Sequence, residues 1–130
     1  MAVARLAATG VAAGAATMLA LRIGAVAERI RCGRALAACA RPYERDGPED
    51  APALLAVGDS LAVGVGAQLP EHSVPGRIAR AFGDVVVHHR AVCGARVRDL
   101  HRQLAAAPRP RYAAMLVAAG ANDVLRGTRP

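Results

Sequence analysis

The stretch Leu54-Leu55-Ala56-Val57-Gly58-Asp59-Ser60-Leu61 decides the fold. It begins with an apolar run of strand length, breaks at a glycine, and presents an acid and a hydroxyl before an Ala/Gly/Val-rich segment. Proteins of the α/β class build their sites at the carboxyl ends of such strands. The stretch therefore predicts an α/β protein that carries Ser60 as a nucleophile at the end of a strand.

Two further apolar segments have the composition of strands. Residues 84–92 contain three consecutive valines, and residues 112–119 are almost entirely apolar. Residues 53–57 lack the alternation of a half-exposed strand, which is typical of a central parallel strand covered on both faces. We therefore expect the strand before Ser60 to be central in a parallel sheet.

Apolar residues recur at helical spacing between these predicted strands. Over residues 75–82, Pro75 suits the first turn of a helix and Gly83 suits its end. Residues 97–107 have one apolar face, formed by Val97, Leu100, Leu104 and Ala107. The alternation of strand and helix predicts right-handed crossovers and a three-layer α/β/α fold with a parallel sheet.

Residues 1–30 form an apolar segment with three interpretations. As a signal sequence, the segment offers a small-x-small triplet at residues 25–27, although Arg22 is unusually close to it. As a membrane anchor, residues 6–27 are long enough for a hydrocarbon core of about 30 Å, but alanine and glycine supply little hydrophobicity. The third interpretation is an alanine-rich helix that docks on the domain or on a partner.

The arginines around this segment bear on localisation. Four of them, Arg22, Arg29, Arg31 and Arg34, outnumber Arg5 before it. The positive-inside tendency would then hold the following domain on the cytoplasmic side. Residues 36–39 resemble a lipoprotein box, but nearby arginines interrupt the apolar run that such a signal needs. We expect a membrane-associated or cytoplasmic protein, with export as the alternative.

Residues 31–52 are predicted to be a linker. Their last part, residues 41–52, contains three prolines, one glycine and alternating charges. We expect that such a segment neither continues a helix nor enters a sheet. The remaining residues, 53–130, are predicted to be the globular domain.

Composition argues against two classes of function. The net charge of +7 comes from arginines dispersed from Arg5 to Arg129, and aromatic residues make up only 2% of the chain. Nucleic-acid binding favours a clustered basic face with aromatic stacking partners, so we expect no nucleic-acid partner. The three cysteines, Cys32, Cys39 and Cys93, lack metal-ligand spacing such as CxxC, so we expect no metal site.

One short motif follows each predicted strand: Gly58-Asp59-Ser60, Gly94, and Gly120-Ala121-Asn122-Asp123. In this order they resemble the signature blocks of SGNH, or GDSL-type, hydrolases over about residues 53–128. The resemblance implies a flavodoxin-like α/β/α fold and a serine esterase that works through an acyl-enzyme without a cofactor. It also implies that Ser60 is the nucleophile and that its N–H, the Gly94 N–H and the Asn122 side-chain amide are oxyanion donors.

The family's fourth signature residue, a histidine base in an Asp-x-x-His block, has no counterpart after Asn122. All histidines precede that residue: His72, His88, His89 and His101. We therefore assign no general base, and we interpret Asp59 and Asp123 as turn-stabilising acids. The resemblance implies a domain that is truncated at its carboxyl end, with a sheet edge left without cover.

Two functions remain open from the sequence. The first is hydrolysis of a small acyl or acetyl ester, weak or inactive because loss of a general base costs orders of magnitude in rate. The second is a non-catalytic, membrane-associated binding module or truncated pseudoenzyme. Such a protein would keep an oxyanion pocket without turnover.

Overall fold

The computed structural model describes residues 2–109 and 111–127, so residues 110 and 128–130 of the predicted domain lie outside it. In the described part, strands and helices alternate after a long first helix. The elements are α1 Ala2–Cys39, β1 Ala53–Gly58, α2 Ser60–Val63, α3 Val74–Phe82, β2 Val86–His89, α4 Leu100–Ala105, β3 Ala114–Ala118 and α5 Ala121–Leu125. Short 3₁₀ turns, Pro70–His72 and Val97–Asp99, precede α3 and α4.

The three strands form one parallel sheet in the order β2-β1-β3. Leu54 of β1 lies opposite Val87 on one side and opposite Ala114 on the other. The chain moves from β1 to β2 in one direction, and from β2 past β1 to β3 in the opposite direction. Because such crossovers are right-handed, α3 and α4 lie on opposite faces of the sheet. The predicted α/β fold is confirmed.

Side chains of β1 pack against a different helix on each face. Leu54 belongs to a buried cluster with Ala79 of α3. Leu55, which points to the other face, borders the same cavity as Leu104 of α4. All six residues of β1 are buried, so the prediction of a central, doubly covered strand is also confirmed.

β3 is an edge strand with one open face. Its residues alternate between half-buried and exposed. Met115 is 51% exposed and Val117 is 48% exposed, on the face that carries α4. This agrees with the predicted sheet edge without full cover.

The first helix is longer than the predicted apolar segment. α1 has 38 residues and ends at Cys39, beyond the predicted start of the linker at residue 31. The reason is that residues 34–38, Arg-Ala-Leu-Ala-Ala, are strong helix formers. The chain divides into two compact units, Met1–Ala35 and Leu36–Pro130.

None of the described helices, α1 included, has both the length and the apolar character that a membrane span requires. This finding goes against the spanning-helix interpretation of residues 6–27. The signal-sequence and docking interpretations of the segment stay predictions.

The segment 41–52 is part of the second compact unit, contrary to the expectation that it would not enter a sheet. Arg45 forms an antiparallel bridge with Val87 at the outer edge of β2. The Arg45 N–H donates to the Val87 carbonyl at 3.2 Å, and the Val87 N–H donates to the Arg45 carbonyl at 2.9 Å. Prolines are tolerated at sheet edges, and a single bridge needs only the two backbone groups of one non-proline residue.

The predicted apolar face of residues 97–107 is confirmed only in part. Leu100 and Ala107 are half-buried, but Val97 is 53% exposed and Leu104 is 43% exposed, and Gln103 is the buried residue of α4. A polar side chain is buried at low cost when each of its polar atoms is hydrogen-bonded. Gln103 meets this condition through its contacts with the end of β1.

Candidate functional site

Ser60 begins α2, directly after the turn that ends β1. Asp59 caps this short helix, and its Oδ1 accepts a hydrogen bond from the Leu61 N–H at 3.0 Å. Asp59 is only 5% exposed, and Ser60 is half-buried. The turn thus uses the acid to hold the backbone beside Ser60, in the role of a turn-stabilising residue.

Gly58 brings the end of β1 close to the end of β3. Its φ of +130° is a conformation that residues with a side chain rarely adopt. The next residue, Asp59, donates its N–H to the Ala118 carbonyl at 2.7 Å. The turn before Ser60 is therefore tied to the strand that leads to Asn122.

The loop after β2 carries Gly94 and is tied to the same turn. The Val92 N–H donates to the Gly58 carbonyl at 3.0 Å. Gly94 has a φ of +80°, which its lack of a side chain allows. Ala95, the next residue, is buried.

Two side chains of α5 bind the loop that carries Gly94. The Asn122 Nδ2 donates to the Ala95 carbonyl at 3.0 Å. Asp123 Oδ2 accepts from the Val97 N–H at 3.0 Å, so this acid also stabilises a loop. The loops that follow the three strands are therefore connected to one another by hydrogen bonds.

Three N–H groups at these loops have no hydrogen-bond partner within the described residues. They are the backbone N–H of Ser60, the backbone N–H of Gly94 and the second N–H of the Asn122 amide. An amide NH2 carries two donors, and Ala95 uses only one. Unpaired N–H donors that converge on one point are a kind of group that enzymes use to stabilise a developing oxyanion.

None of the four histidines donates to or accepts from the Ser60 hydroxyl in the described part of the chain. His88 Nδ1 lies 2.9 Å from the Tyr112 hydroxyl, and His101 Nδ1 lies 2.6 Å from the Arg98 carbonyl. His72 is exposed in a 3₁₀ turn. We therefore assign none of these histidines as the general base for Ser60.

His89 is the most buried of these histidines. It is 8% exposed, and its Nε2 has no hydrogen-bond partner in the described part of the chain. Burial lowers the pKa of His89 below its ordinary value, partly opposed by a backbone hydrogen bond with Ala62. Burial beside α2 therefore favours the neutral form of the ring.

A cavity of about 590 Å³ adjoins the Gly94 loop on the side of α4. Neither Ser60 nor Asn122 borders it. Partial desolvation raises the pKa of the Cys93 thiol, and the Asp59 carboxylate raises it further, so the thiol is a poor competing nucleophile. The cavity is lined by Arg90, Val92, Cys93, Gly94, Ala95, Asp99, Arg102, Gln103 and Ala106.

The sequence was also compared with protein families. Residues 56–130, more than half of the chain, match the GDSL-like Lipase/Acylhydrolase family. The chain belongs to this family. No curated protein and no solved structure matches the chain. Family membership confirms the predicted SGNH/GDSL resemblance and supports ester hydrolysis at the level of the family, while the roles of Ser60, Gly94 and Asn122 stay predictions.

Gln103 is the residue of this region that the sequence did not reveal. Its Oε1 accepts from the Gly58 N–H at 2.6 Å, and its Nε2 donates to the Gly58 carbonyl at 2.9 Å. A glutamine on a helix is usually exposed, and helical spacing offers no sign that this one is buried. The only signal is indirect, because a glycine that breaks a buried strand leaves backbone groups in need of partners.

Proposed function

We propose that this GDSL-family chain is a serine-dependent hydrolase of small carboxylic esters, with Ser60 as the nucleophile. The observation that carries the proposal is the set of three unpaired N–H groups on Ser60, Gly94 and Asn122, in loops joined by hydrogen bonds. Family membership supports the reaction class. No cofactor is needed for this chemistry.

In the proposed mechanism, the Ser60 Oγ attacks the ester carbonyl carbon, and its proton passes to a general base. The carbonyl oxygen becomes an oxyanion that accepts hydrogen bonds from the three donors. The ester C–O bond then breaks, the alcohol leaves with a proton, and an acyl-enzyme remains on Ser60. Water hydrolyses this intermediate, which releases the acid and restores the hydroxyl.

A non-catalytic binding module is the second candidate. It is favoured by the finding that no histidine of the described residues is hydrogen-bonded to the Ser60 Oγ. In this case the same N–H groups would bind a carbonyl or carboxylate oxygen of an acylated ligand, without turnover.

A fluorophosphonate label and p-nitrophenyl acetate distinguish the two functions. We expect the intact chain to be labelled and to release p-nitrophenol, and Ser60→Ala to lose both. The matched control is Ser73→Ala, since Ser73 is the other serine of the sequence and caps α3. Labelling and turnover that persist in Ser60→Ala would refute Ser60 as the nucleophile, and their absence from the intact chain would favour the binding module.

A further inference from the structure

Gln103 connects the middle of α4 to the end of β1. The residue is 6% exposed, and both polar atoms of its side chain bond one residue, Gly58, 45 positions away in sequence. The N–H···O distance at the Gly58 carbonyl, 2.9 Å, is typical of a hydrogen bond, and the one at the Gly58 N–H, 2.6 Å, is slightly shorter than usual. An amide that binds both the N–H and the carbonyl of one residue fixes the position and direction of that part of the backbone.

Gly58 needs such a partner because β1 turns at this residue. It is the last residue of β1 and has a positive φ, and within the described residues its N–H has no other partner than Gln103. Its carbonyl accepts a second bond, from the Val92 N–H. Ser60 follows two positions later, so the path of the backbone at Gly58 determines where the hydroxyl lies.

We propose that Gln103 is a positioning residue for Ser60. Its amide holds the turn at Gly58 and thereby aligns the Ser60 hydroxyl with the N–H groups of Gly94 and Asn122. This inference rests on the proposed function of Ser60 as the nucleophile. A misplacement of about 1 Å is enough to slow an enzymatic reaction by about 100-fold.

The test uses the full chain with three substitutions. Gln103→Met keeps a similar length and removes both hydrogen bonds, whereas Gln103→Glu keeps an acceptor for the Gly58 N–H. Gln68→Met is the matched control, because Gln68 is exposed. Two measurements are made: amide hydrogen exchange at Gly58, and kcat and KM for p-nitrophenyl acetate with the rate of fluorophosphonate labelling.

In Gln103→Met we expect the Gly58 amide to exchange about tenfold faster, while the amides of β2 keep their protection. We expect kcat to fall by about 10- to 100-fold and KM to change by less than about twofold. Gln103→Glu should protect the Gly58 amide better than Gln103→Met does. Gln68→Met should match the wild type in every measurement.

Unchanged exchange at Gly58 in Gln103→Met would overturn the inference, and so would faster exchange with an unchanged kcat. If Gln103→Met does not fold, a Gln103→Glu chain in which the Gly58 amide exchanges faster than in the wild type while kcat is unchanged would overturn it. If the wild-type chain shows neither labelling nor turnover, the proposed function fails. The exchange of the Gly58 amide then still decides whether Gln103 holds this turn.

Discussion

The substitution Gly58→Ala tests how closely β1 and β3 approach beside Ser60. A Cβ at this position would lie on the Ala118 carbonyl oxygen, with the Ala118 carbonyl carbon at 2.6 Å and its nitrogen at 2.9 Å. The φ of +130° adds backbone strain of about 1–3 kcal/mol, and overpacking against atoms that cannot swing aside adds about 1–3 kcal/mol. We therefore expect the free energy of unfolding to fall by about 2–6 kcal/mol.

Gly66→Ala is the control for the strain alone. Gly66 has a φ of +92°, but nothing lies within 4 Å of the position of its Cβ. We expect this variant to lose only about 1–2 kcal/mol. The difference between the two variants then measures the contact with Ala118.

Urea unfolding followed by tyrosine fluorescence is the suitable assay. The sequence has no tryptophan, and both tyrosines, Tyr43 and Tyr112, belong to the unit Leu36–Pro130. Far-ultraviolet circular dichroism would instead report largely on the 38-residue helix α1. If Gly58→Ala loses no more stability than Gly66→Ala, the close approach of β1 to Ala118 is wrong.

Three further predictions concern other parts of the chain. Burial lowers the pKa of His89, so the unfolded chain binds a proton that the folded domain excludes as the pH falls below about 6.5. The urea midpoint should therefore fall from pH 7 to pH 5, and it should fall less steeply in His89→Leu. Equal slopes in the two proteins would contradict this prediction. Asn122→Ala loses the hydrogen bond to the Ala95 carbonyl, so the free energy of unfolding, monitored by tyrosine fluorescence, should fall by about 1 kcal/mol. The kcat for p-nitrophenyl acetate should fall by about 100- to 1,000-fold. Wild-type values of both quantities would exclude the amide as a support of the loop and as an oxyanion donor. A Cβ at Gly33 in α1 would have nothing within 4 Å, so Gly33→Ala should stabilise the helix by up to about 1 kcal/mol. Thermal unfolding followed by circular dichroism tests this, and a lower melting midpoint would refute it.

The parallel sheet could be predicted from the sequence because its strands differ in composition from everything around them. The run at residues 53–57 has no polar residue and no alternation, which only a doubly covered strand tolerates. The glycine at residue 83 ended α3 as predicted, with a φ of +80°. Local signals of this kind are read directly from side-chain chemistry and backbone freedom.

The contacts of residues 41–52 could not be predicted in the same way. Composition indicated a linker, yet Arg45 pairs with β2, and the Arg109 guanidinium donates to the Ala51 carbonyl at 3.0 Å. These bonds join residues about 40–60 positions apart, and each depends on the path of the whole chain. Turn composition reports local conformation and says nothing about such partners.

The motif residues of the candidate site could be predicted from the sequence, whereas the groups that hold them in place could not. Ser60, Gly94 and Asn122 were found as motifs, because glycine, serine and asparagine have recognisable positions after strands. Their supports are mostly backbone groups, such as the Ala118, Gly58 and Ala95 carbonyls, which every sequence possesses. Only the fold determines which carbonyl meets which donor.

The geometry of the donors and the activation of the nucleophile are separable contributions to the proposed reaction. Oxyanion donors and substrate binding alone accelerate acyl transfer by about 10³–10⁴-fold over water in enzymes that have lost a triad member. In the proposed reaction, the three unpaired N–H groups and the hydrogen bonds between Gln103 and Gly58 would contribute to this part of the rate. The hydroxyl of Ser60 still needs a group that takes its proton, and no histidine of the described residues is bonded to it. Substitutions of Gln103 or Asn122 should therefore lower the esterase rate of the chain whichever group acts as the base, because they act on the alignment and charge of the transition state.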